Sequence, residues 1–385
     1  MRILLFANTD WFLWNFKRAL ARGLREAGHE VLLLSPAGPF GEKLKAEGFH
    51  WEAFEVSRSG INPLAEFATA RRLAAVYRRL KPDLVHHFTI KCVIYGSLAA
   101  RRAGVARIVN SITGLGFAML ATTAKARLIR PVVVALYRRA LAGTEVIFQN
   151  SDNRDTLARL GVLAKSGVHV IPGDGVDAEH FAPPAGGAPG HVVLMMCRLL
   201  ASKGVHQYVE AAKLVRARIP DARFLLAGSP DPGNPESVTD AELALWRSEG
   251  AVELLGQRAD VLELQQGCDV AVLASTQGEG MPRSLVEAAS CGRALVATVV
   301  PGSRELVEDG VDGLLVPPGD VKALAGAIEA LLADPVRRAK MGEAARRKVL
   351  CELADGPVIA KTMAVYGGEN SPSPFIPLPQ GQKDV

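Results

Sequence analysis

Several things are scarce in this sequence. Its five cysteines, Cys92, Cys197, Cys268, Cys291 and Cys351, form no C-x-x-C pair and no His/Cys cluster, which excludes a disulfide framework and a cysteine-based zinc site. That usage fits a reducing compartment. No uncharged apolar run approaches the roughly 18 residues of a membrane-crossing helix, so none is expected. The chain enters at once on the strand-like run Ile3–Ala7, without a charged leader and a long apolar segment, so no signal peptide is expected. Acids are scarce in the first half. Residues 1–170 hold 25 Lys and Arg against 12 Asp and Glu, a net of +13, whereas residues 171–385 hold 20 against 28, a net of −8. A basic half implies an anionic partner such as a phospholipid surface, a diphosphate substrate or nucleic acid; an Arg-rich composition that only serves solubility is the bland alternative.

What is present is a long alternation of strand and helix. A chain of 385 residues, 49% hydrophobic and 22% charged, exceeds the size at which one core keeps growing, so two globular domains are expected. The first, residues 1–171, has strands predicted at Ile3–Ala7, Glu30–Leu34, Asp83–His86, Arg107–Ser111, Val146–Phe148 and Val168–Ile171, with a further segment at Phe54–Val56. Helices are predicted at about Asn15–Ala27, Pro63–Leu80 and Tyr95–Ala103, the second with a dense basic face. Pro172–His191 is rich in Pro and Gly and non-periodic, and reads as a linker. A second alternating run over 192–350 has strands predicted at Val192–Cys197, Arg223–Ala227, Val252–Leu255, Val270–Ala274, Ala294–Thr298 and Gly313–Val316. Helical sequence continues over 351–368, and the Pro- and Ser-containing stretch 369–385 is expected to be disordered.

Parallel sheets of this kind present ligand loops at the carboxyl ends of their strands. Asn8, Thr9 and Asp10 follow the first strand and are either site residues or a turn and helix cap. The segments His86–Lys91 and Ser111–Gly116 are expected to be loops on the same edge. His86 and His87 lack a clustered carboxylate partner, which favours a structural or substrate-contact role over metal or acid/base chemistry. Residues 115–142 mix apolar and basic side chains without acids, as an amphipathic segment on an anionic bilayer or as a core helix.

The stretch from Ala274 to Ala289 concentrates the chemistry. It leaves the apolar run Val270–Leu273, passes through a Gly-bracketed loop and enters a helix opened by Pro282. Glu279 lies on the loop, Glu287 about a turn and a half into the helix, and unpaired helix-start N–H groups fall between them. Arg198 and Lys203-Gly204 follow the strand Val192–Cys197 and so reach the same sheet edge, where two cations and a helix N-terminus neutralise a diphosphate. Carboxylates accept from vicinal hydroxyls, so Glu287 suits a ribose and Glu279 a transferred sugar. Two carboxyls flanking one bond would suit a glycosidase, but nothing else in the sequence suggests a hydrolase groove.

Glu279 to Glu287 resembles the E-x7-E motif of retaining glycosyltransferases of the GT-B fold, and Arg198 with Lys203-Gly204 resembles their diphosphate-binding pair. The similarity to glycosyltransferase family 4 runs to about residue 368 and includes Phe148-Gln149-Asn150, the Gly302–Glu305 loop and Gly313–Asp320. It implies an α/β architecture of two Rossmann-like domains whose parallel sheets face across a cleft: residues 1–171 for the acceptor, 192–350 for a nucleotide sugar, and 351–368 returning to the first. By the same resemblance Arg198 and Lys203 hold the donor diphosphate and Glu287 the ribose. Glu279, with Gly280, Met281, Pro282 and Leu285, holds the donor sugar and β-phosphate. Arg198, Lys203 and Glu279 are the catalytic candidates, and no metal or cofactor is implied.

His87–Lys91 followed by Tyr95-Gly96, together with Thr113-Gly114-Leu115-Gly116, is similar to the branch that transfers a sugar, often an N-acetylhexosamine, to polyprenyl-diphosphate-linked saccharides. Acceptor-side candidates are then Asn8, Thr9, Asp10, Lys91, Thr113 and Gly114. Asn8–Asp10 stand where the family commonly has a Gly-Gly loop, and Thr113 where many members have His. The resemblance implies a retaining, metal-independent hexosyltransferase of surface polysaccharide or glycan assembly, using a UDP-sugar. It would be cytoplasmic, peripheral on the inner face of the plasma membrane, with an anionic membrane surface and no nucleic acid as partner. Two other classes stay open: a sugar-nucleotide epimerase on the same fold, and a non-catalytic membrane-associated scaffold.

Overall fold

Apolar runs such as Ile3–Ala7 and Val192–Met195 have no polar face to turn to water, so they are stable only where both faces of a sheet are covered. The computed structural model, which describes residues 1–56, 63–114, 124–186 and 190–367, puts them at the centres of two parallel sheets. The chain divides into two units. One comprises Met1–Phe148, Arg154–Ile171 and the chain from Gly356 on; the other comprises Gln149–Asn153 and Pro172–Asp355.

The first unit holds β1 (Arg2–Phe6), β2 (Glu30–Ser35), β3 (His50–Ala53), β4 (Leu84–Phe88), β5 (Arg107–Ile112), β6 (Glu145–Phe148) and β7 (Gly167–Val170). Their order is β3-β2-β1-β4-β5-β6-β7, so the direction of winding reverses between β1 and β4. Helices cover the sheet, among them Pro63–Leu80, Ile90–Ala103 and Ala124–Leu141. The last helix among the described residues, Asp355–Gly367, also packs into this unit: Tyr366 is 2% exposed and its hydroxyl lies 2.5 Å from His86 Nδ1.

Four predictions are corrected here. The helix predicted from Asn15 starts at Asp10, runs through a π-helical turn, Leu13–Lys17, and continues as Arg18–Glu26. The wide turn shifts the apolar register, which hides the true start from a search for a 3.6-residue period. The segment Phe54–Val56 follows β3 rather than forming it. In that edge strand Trp51 alone is buried, so the strand leaves little apolar signal. The helix predicted from Tyr95 starts at Ile90, and His86 and His87 lie inside β4, 1% and 0% exposed, not on a loop.

The second unit holds β8 (Val192–Met196), β9 (Arg223–Ala227), β10 (Glu253–Gly256), β11 (Val270–Leu273), β12 (Ala294–Thr298) and β13 (Gly313–Val316), in the order β10-β9-β8-β11-β12-β13. Its winding reverses between β8 and β11. The described residues 172–186 pack onto this unit through the buried Val176 and Phe181, and the Val176 N–H donates to the Leu353 carbonyl. Leu115, Gly116, the beginning of segment 115–142 and the tail 369–385 lie outside the described residues.

Candidate functional site

The reversal point of the second sheet gathers the donor-side candidates. Arg198 and Lys203 leave the carboxyl end of β8, and Ser275 to Glu279 leave that of β11, the neighbouring strand. In such sheets the crevice between strands that wind in opposite directions is where ligands sit. A close backbone approach fixes the two loops together. Gly204 has φ +75°, and a Cβ there would collide with the Ala274 carbonyl oxygen; the Thr276 N–H donates to Ser202 O at 2.8 Å. From the other side, the Glu279 N–H donates to Pro301 O at 2.8 Å, and Gly302, φ +88°, leaves room for the Gly280 carbonyl.

Within this frame Lys203 and Glu279 meet. Lys203 Nζ lies 2.6 Å from Glu279 Oε1, and the Ser275 hydroxyl donates to the same oxygen at 2.6 Å. Ser275 is fully buried and Thr298 Oγ1 donates to its carbonyl at 2.5 Å, so the chain behind Glu279 is held at several points. Arg198 is not in this cluster. Its guanidinium pairs with Asp231 at 2.8 Å and is 64% exposed. Asn150 Nδ2 donates to the carbonyls of Glu279, 2.9 Å, and Gly280, 3.2 Å, and the Met281 N–H donates to Gln149 Oε1.

The helix predicted to open with Pro282 is Arg283–Ser290, with Pro282 at the N-cap. Pro282 is buried, Leu285 is 1% exposed, and no side chain caps this helix, so its first amides are not engaged by a capping side chain. Glu287 is nearly buried and accepts from Arg283 Nε at 2.7 Å. Burial raises its pKa above the usual carboxylate value, and the Arg283 charge opposes that rise without cancelling it. Glu287 therefore has a cation partner of its own and does not touch Glu279's cluster.

In the first unit the acceptor-side candidates follow adjacent strands: Asn8, Thr9 and Asp10 after β1, Lys91 in the first turn after β4, and Thr113 and Gly114 after β5. Their side chains are not equivalent. Asp10 is 5% exposed; Oδ2 accepts from the Phe40 and Gly41 N–H groups at 2.7 and 3.0 Å, and Oδ1 from Trp11 at 2.8 Å. In this structure its carboxylate is engaged by backbone and braces the loop. Thr9 caps the helix, accepting from the Phe12 N–H at 3.1 Å. His86 and His87 belong to buried networks: His87 Nδ1 donates to Asn110 Oδ1 at 2.9 Å, Tyr77 O–H donates to Nε2 at 3.1 Å, and burial lowers the His87 pKa to about 4. Such an imidazole stays neutral and structural.

Of four further features, three carry no strong sequence signal. Ser275 and Asp231 are placed by the fold alone. Arg283 stands four residues before Glu287, a helix pairing that the spacing does encode. Thr89 has φ +71° and ψ 156°, a conformation nearly confined to glycine, at the carboxyl end of β4 beside β1. Among the described residues no group of three or more His, Cys, Asp or Glu is arranged to hold a metal ion, and no helix is long and apolar enough to cross a membrane.

Residues 190–334 match the family model described as glycosyl transferases group 1, and residues 2–151 match the one described as glycosyl transferase 4-like. The sequence is 29% identical over 364 residues to the N,N'-diacetylbacillosaminyl-diphospho-undecaprenol alpha-1,3-N-acetylgalactosaminyltransferase of Campylobacter jejuni, covering 91% of this chain and 94% of that one. It is 31% identical over 297 residues to the GDP-mannose-dependent alpha-(1-6)-phosphatidylinositol monomannoside mannosyltransferase of Mycolicibacterium smegmatis, covering 69% and 74%. Among solved structures, Anabaena HepE in complex with UDP and glucose superposes with a TM-score of 0.79 at 23% identity, covering 96% of this chain and all of that one. At that identity the likeness shows the fold.

Proposed function

The chain belongs to the glycosyltransferases of these two family models and has their GT-B fold, and we propose that it moves an N-acetylhexosamine or hexose from a UDP-sugar to a hydroxyl of a polyprenyl-diphosphate-linked saccharide, with retention at the anomeric carbon. The observation that carries this reading is the near end-to-end similarity to the Campylobacter enzyme, whose own name specifies a diphospho-undecaprenol-linked acceptor and an N-acetylgalactosaminyl group. The UDP bound in HepE supports the choice of nucleotide. The setting this reading assigns is polysaccharide or glycan assembly at the inner face of a membrane.

In this reading Arg198 and Lys203 exchange the carboxylates of Asp231 and Glu279 for the donor diphosphate. Glu279, so released, accepts from a hydroxyl of the donor sugar, while Glu287 accepts from the ribose. Gly280, Met281, Pro282 and Leu285 shape the loop and helix start against the β-phosphate. The bond between the anomeric carbon and the β-phosphate oxygen breaks, the acceptor oxygen bonds to the same face of that carbon, and the acceptor proton passes to the leaving phosphate oxygen. Arg198, Lys203 and the helix-start amides stabilise the charge that develops there, with no metal or cofactor assigned a part.

The test is a panel of nucleotide sugars screened by thermal shift, where ligand at about 100 times its dissociation constant adds roughly 2.7 kcal/mol. Hits are then incubated with polyprenyl-diphosphate saccharides and the anomeric configuration of the product is read by NMR. Inverted product would overturn the stereochemical assignment, and a new epimer formed without acceptor would favour the epimerase class.

A further inference from the structure

The run Phe148-Gln149-Asn150 carries part of the family resemblance, yet no step of the proposed reaction uses it. Of the first 171 residues, only Gln149–Asn153 group with the second unit. Their side chains reach two loops of that unit. Gln149 and Asn150 meet the loop after β11, while the Asp152 carboxylate pairs with Arg304 and Ser151 Oγ lies 3.5 Å from Glu305 Oε1, both just after β12. Residues 274–282 form neither helix nor strand, so no ladder fixes their peptide planes. Asn150 is fully buried and Gln149 is 6% exposed. Asn150 Oδ1 accepts from the Asn153 N–H at 2.9 Å and so caps helix Ser151–Arg159. A cap needs only that oxygen. Nδ2 is surplus to it, and donates to the carbonyls of Glu279 and Gly280.

In a trans peptide the carbonyl and the following N–H point opposite ways. Asn150 takes the Gly280 carbonyl at 3.2 Å and Gln149 Oε1 takes the Met281 N–H at 3.3 Å, so the two side chains grip one peptide unit at both ends and fix its plane. The Glu279 carbonyl, tied to the same Nδ2, turns the Gly280 N–H away from Asn150, and among the described residues that N–H has no acceptor. Resting on the proposed donor site, we infer that Gln149 and Asn150 are positioning residues for the transfer: touching no substrate, they hold the 279–281 backbone so that the Gly280 N–H meets the donor's sugar phosphate without reorganisation. The Asp152–Arg304 pair anchors the gripping segment to the loop whose Gly302 packs against the Gly280 carbonyl.

Hydrogen exchange and kinetics of the full chain carrying Asn150→Ser and Gln149→Met test the assignment. Serine keeps a capping oxygen and loses the reach of Nδ2; methionine keeps the shape of Gln149 and loses its acceptor. The peptide spanning 276–283 is expected to exchange roughly tenfold faster or more, while helix 151–159 keeps its protection. The kcat should fall roughly thirtyfold or more. Affinity for UMP, which offers a ribose to Glu287 but no β-phosphate, should stay within about twofold of wild type. A merely structural role would loosen the helix and weaken UMP together, and that result would overturn the inference. So would wild-type kcat, or lost activity with unchanged exchange at 276–283. A wild type that binds no nucleotide and transfers no sugar would instead sink the proposed reaction, and selective loosening of 276–283 in the variant would leave the grip on the loop standing.

Discussion

Lys203 Nζ reaches both oxygens of the Glu279 carboxylate, at 2.6 and 2.5 Å, with only 20% and 15% of the two side chains exposed. The pair joins the loop after β8 to the loop after β11, across the line where the winding of the second sheet reverses. A half-buried ion pair of this kind contributes little beyond a neutral pair of the same shape, but losing one member leaves a charge with no partner.

Lys203→Met and Glu279→Gln should therefore each destabilise the protein by about 1–3 kcal/mol, and the double variant should come within about 1 kcal/mol of wild type. Activity should not follow stability. In the double variant kcat/KM is expected to stay at least a hundredfold down, about 2.7 kcal/mol of transition-state stabilisation. Strictly additive destabilisation in urea melts would contradict the pairing.

In the proposed reaction Asp231 competes with the donor diphosphate for Arg198. Because that pair is exposed, its strength is within about 1 kcal/mol, and Asp231→Asn should tighten UDP binding by no more than about fivefold. Arg198→Ala should weaken it at least tenfold. Weaker binding in Asp231→Asn would show that the aspartate serves the ligand.

Glu287 gives a pH signature. Its folded pKa is raised, so whatever stability it adds is fully present below the ordinary carboxylate range and is lost as pH rises through the raised value. The proposed ribose recognition needs the ionised form and runs the other way: UDP affinity should fall as pH drops through that raised value, above the ordinary Glu pKa of about 4.3. The inflexion should be missing in Glu287→Gln, as calorimetry across the range would reveal.

His87, like its neighbour His86, is a buried imidazole whose pKa is lowered by burial, and it contributes acid sensitivity to the first unit. Its pKa is lowered to about 4, so the neutral imidazole stabilises the fold above its unfolded value, and that stability is lost as pH falls from about 6.5 towards 4. The expected slope is about 1.4 kcal/mol per pH unit from this group. His87→Asn should flatten it in acid melts; an unchanged slope would assign the acid sensitivity elsewhere.

Gly204→Ala should cost on the order of 2–4 kcal/mol, since it combines a strained positive φ with a collision against the Ala274 carbonyl. Gly310, φ +78° in open space, is the control, where alanine should cost only the strain of about 1–2 kcal/mol.

The second unit was largely legible in the sequence because its interior strands are unbroken apolar runs and its site residues sit within a few positions of their ends: Lys203 after Val192–Met196, Glu279 after Val270–Leu273. Arg198 was placed on the right edge, but its Asp231 partner comes from a distant loop and leaves no periodic trace. The first unit was harder to read. A π-helical turn disguised the helix after β1, and β4 buries two histidines whose partners, Tyr366 and Asn110, are remote in sequence. Polar residues satisfied inside a core look like loop residues until the fold supplies their hydrogen bonds.

The most direct measurement is calorimetric titration of UDP into the wild type and into Glu287→Ala. The expected result is a wild-type dissociation constant between about 1 μM and 1 mM, the range common for enzyme substrates, and one at least tenfold weaker in the variant. No binding at millimolar UDP, or equal binding by both proteins, would contradict a nucleotide-sugar site at the carboxyl edge of the second sheet.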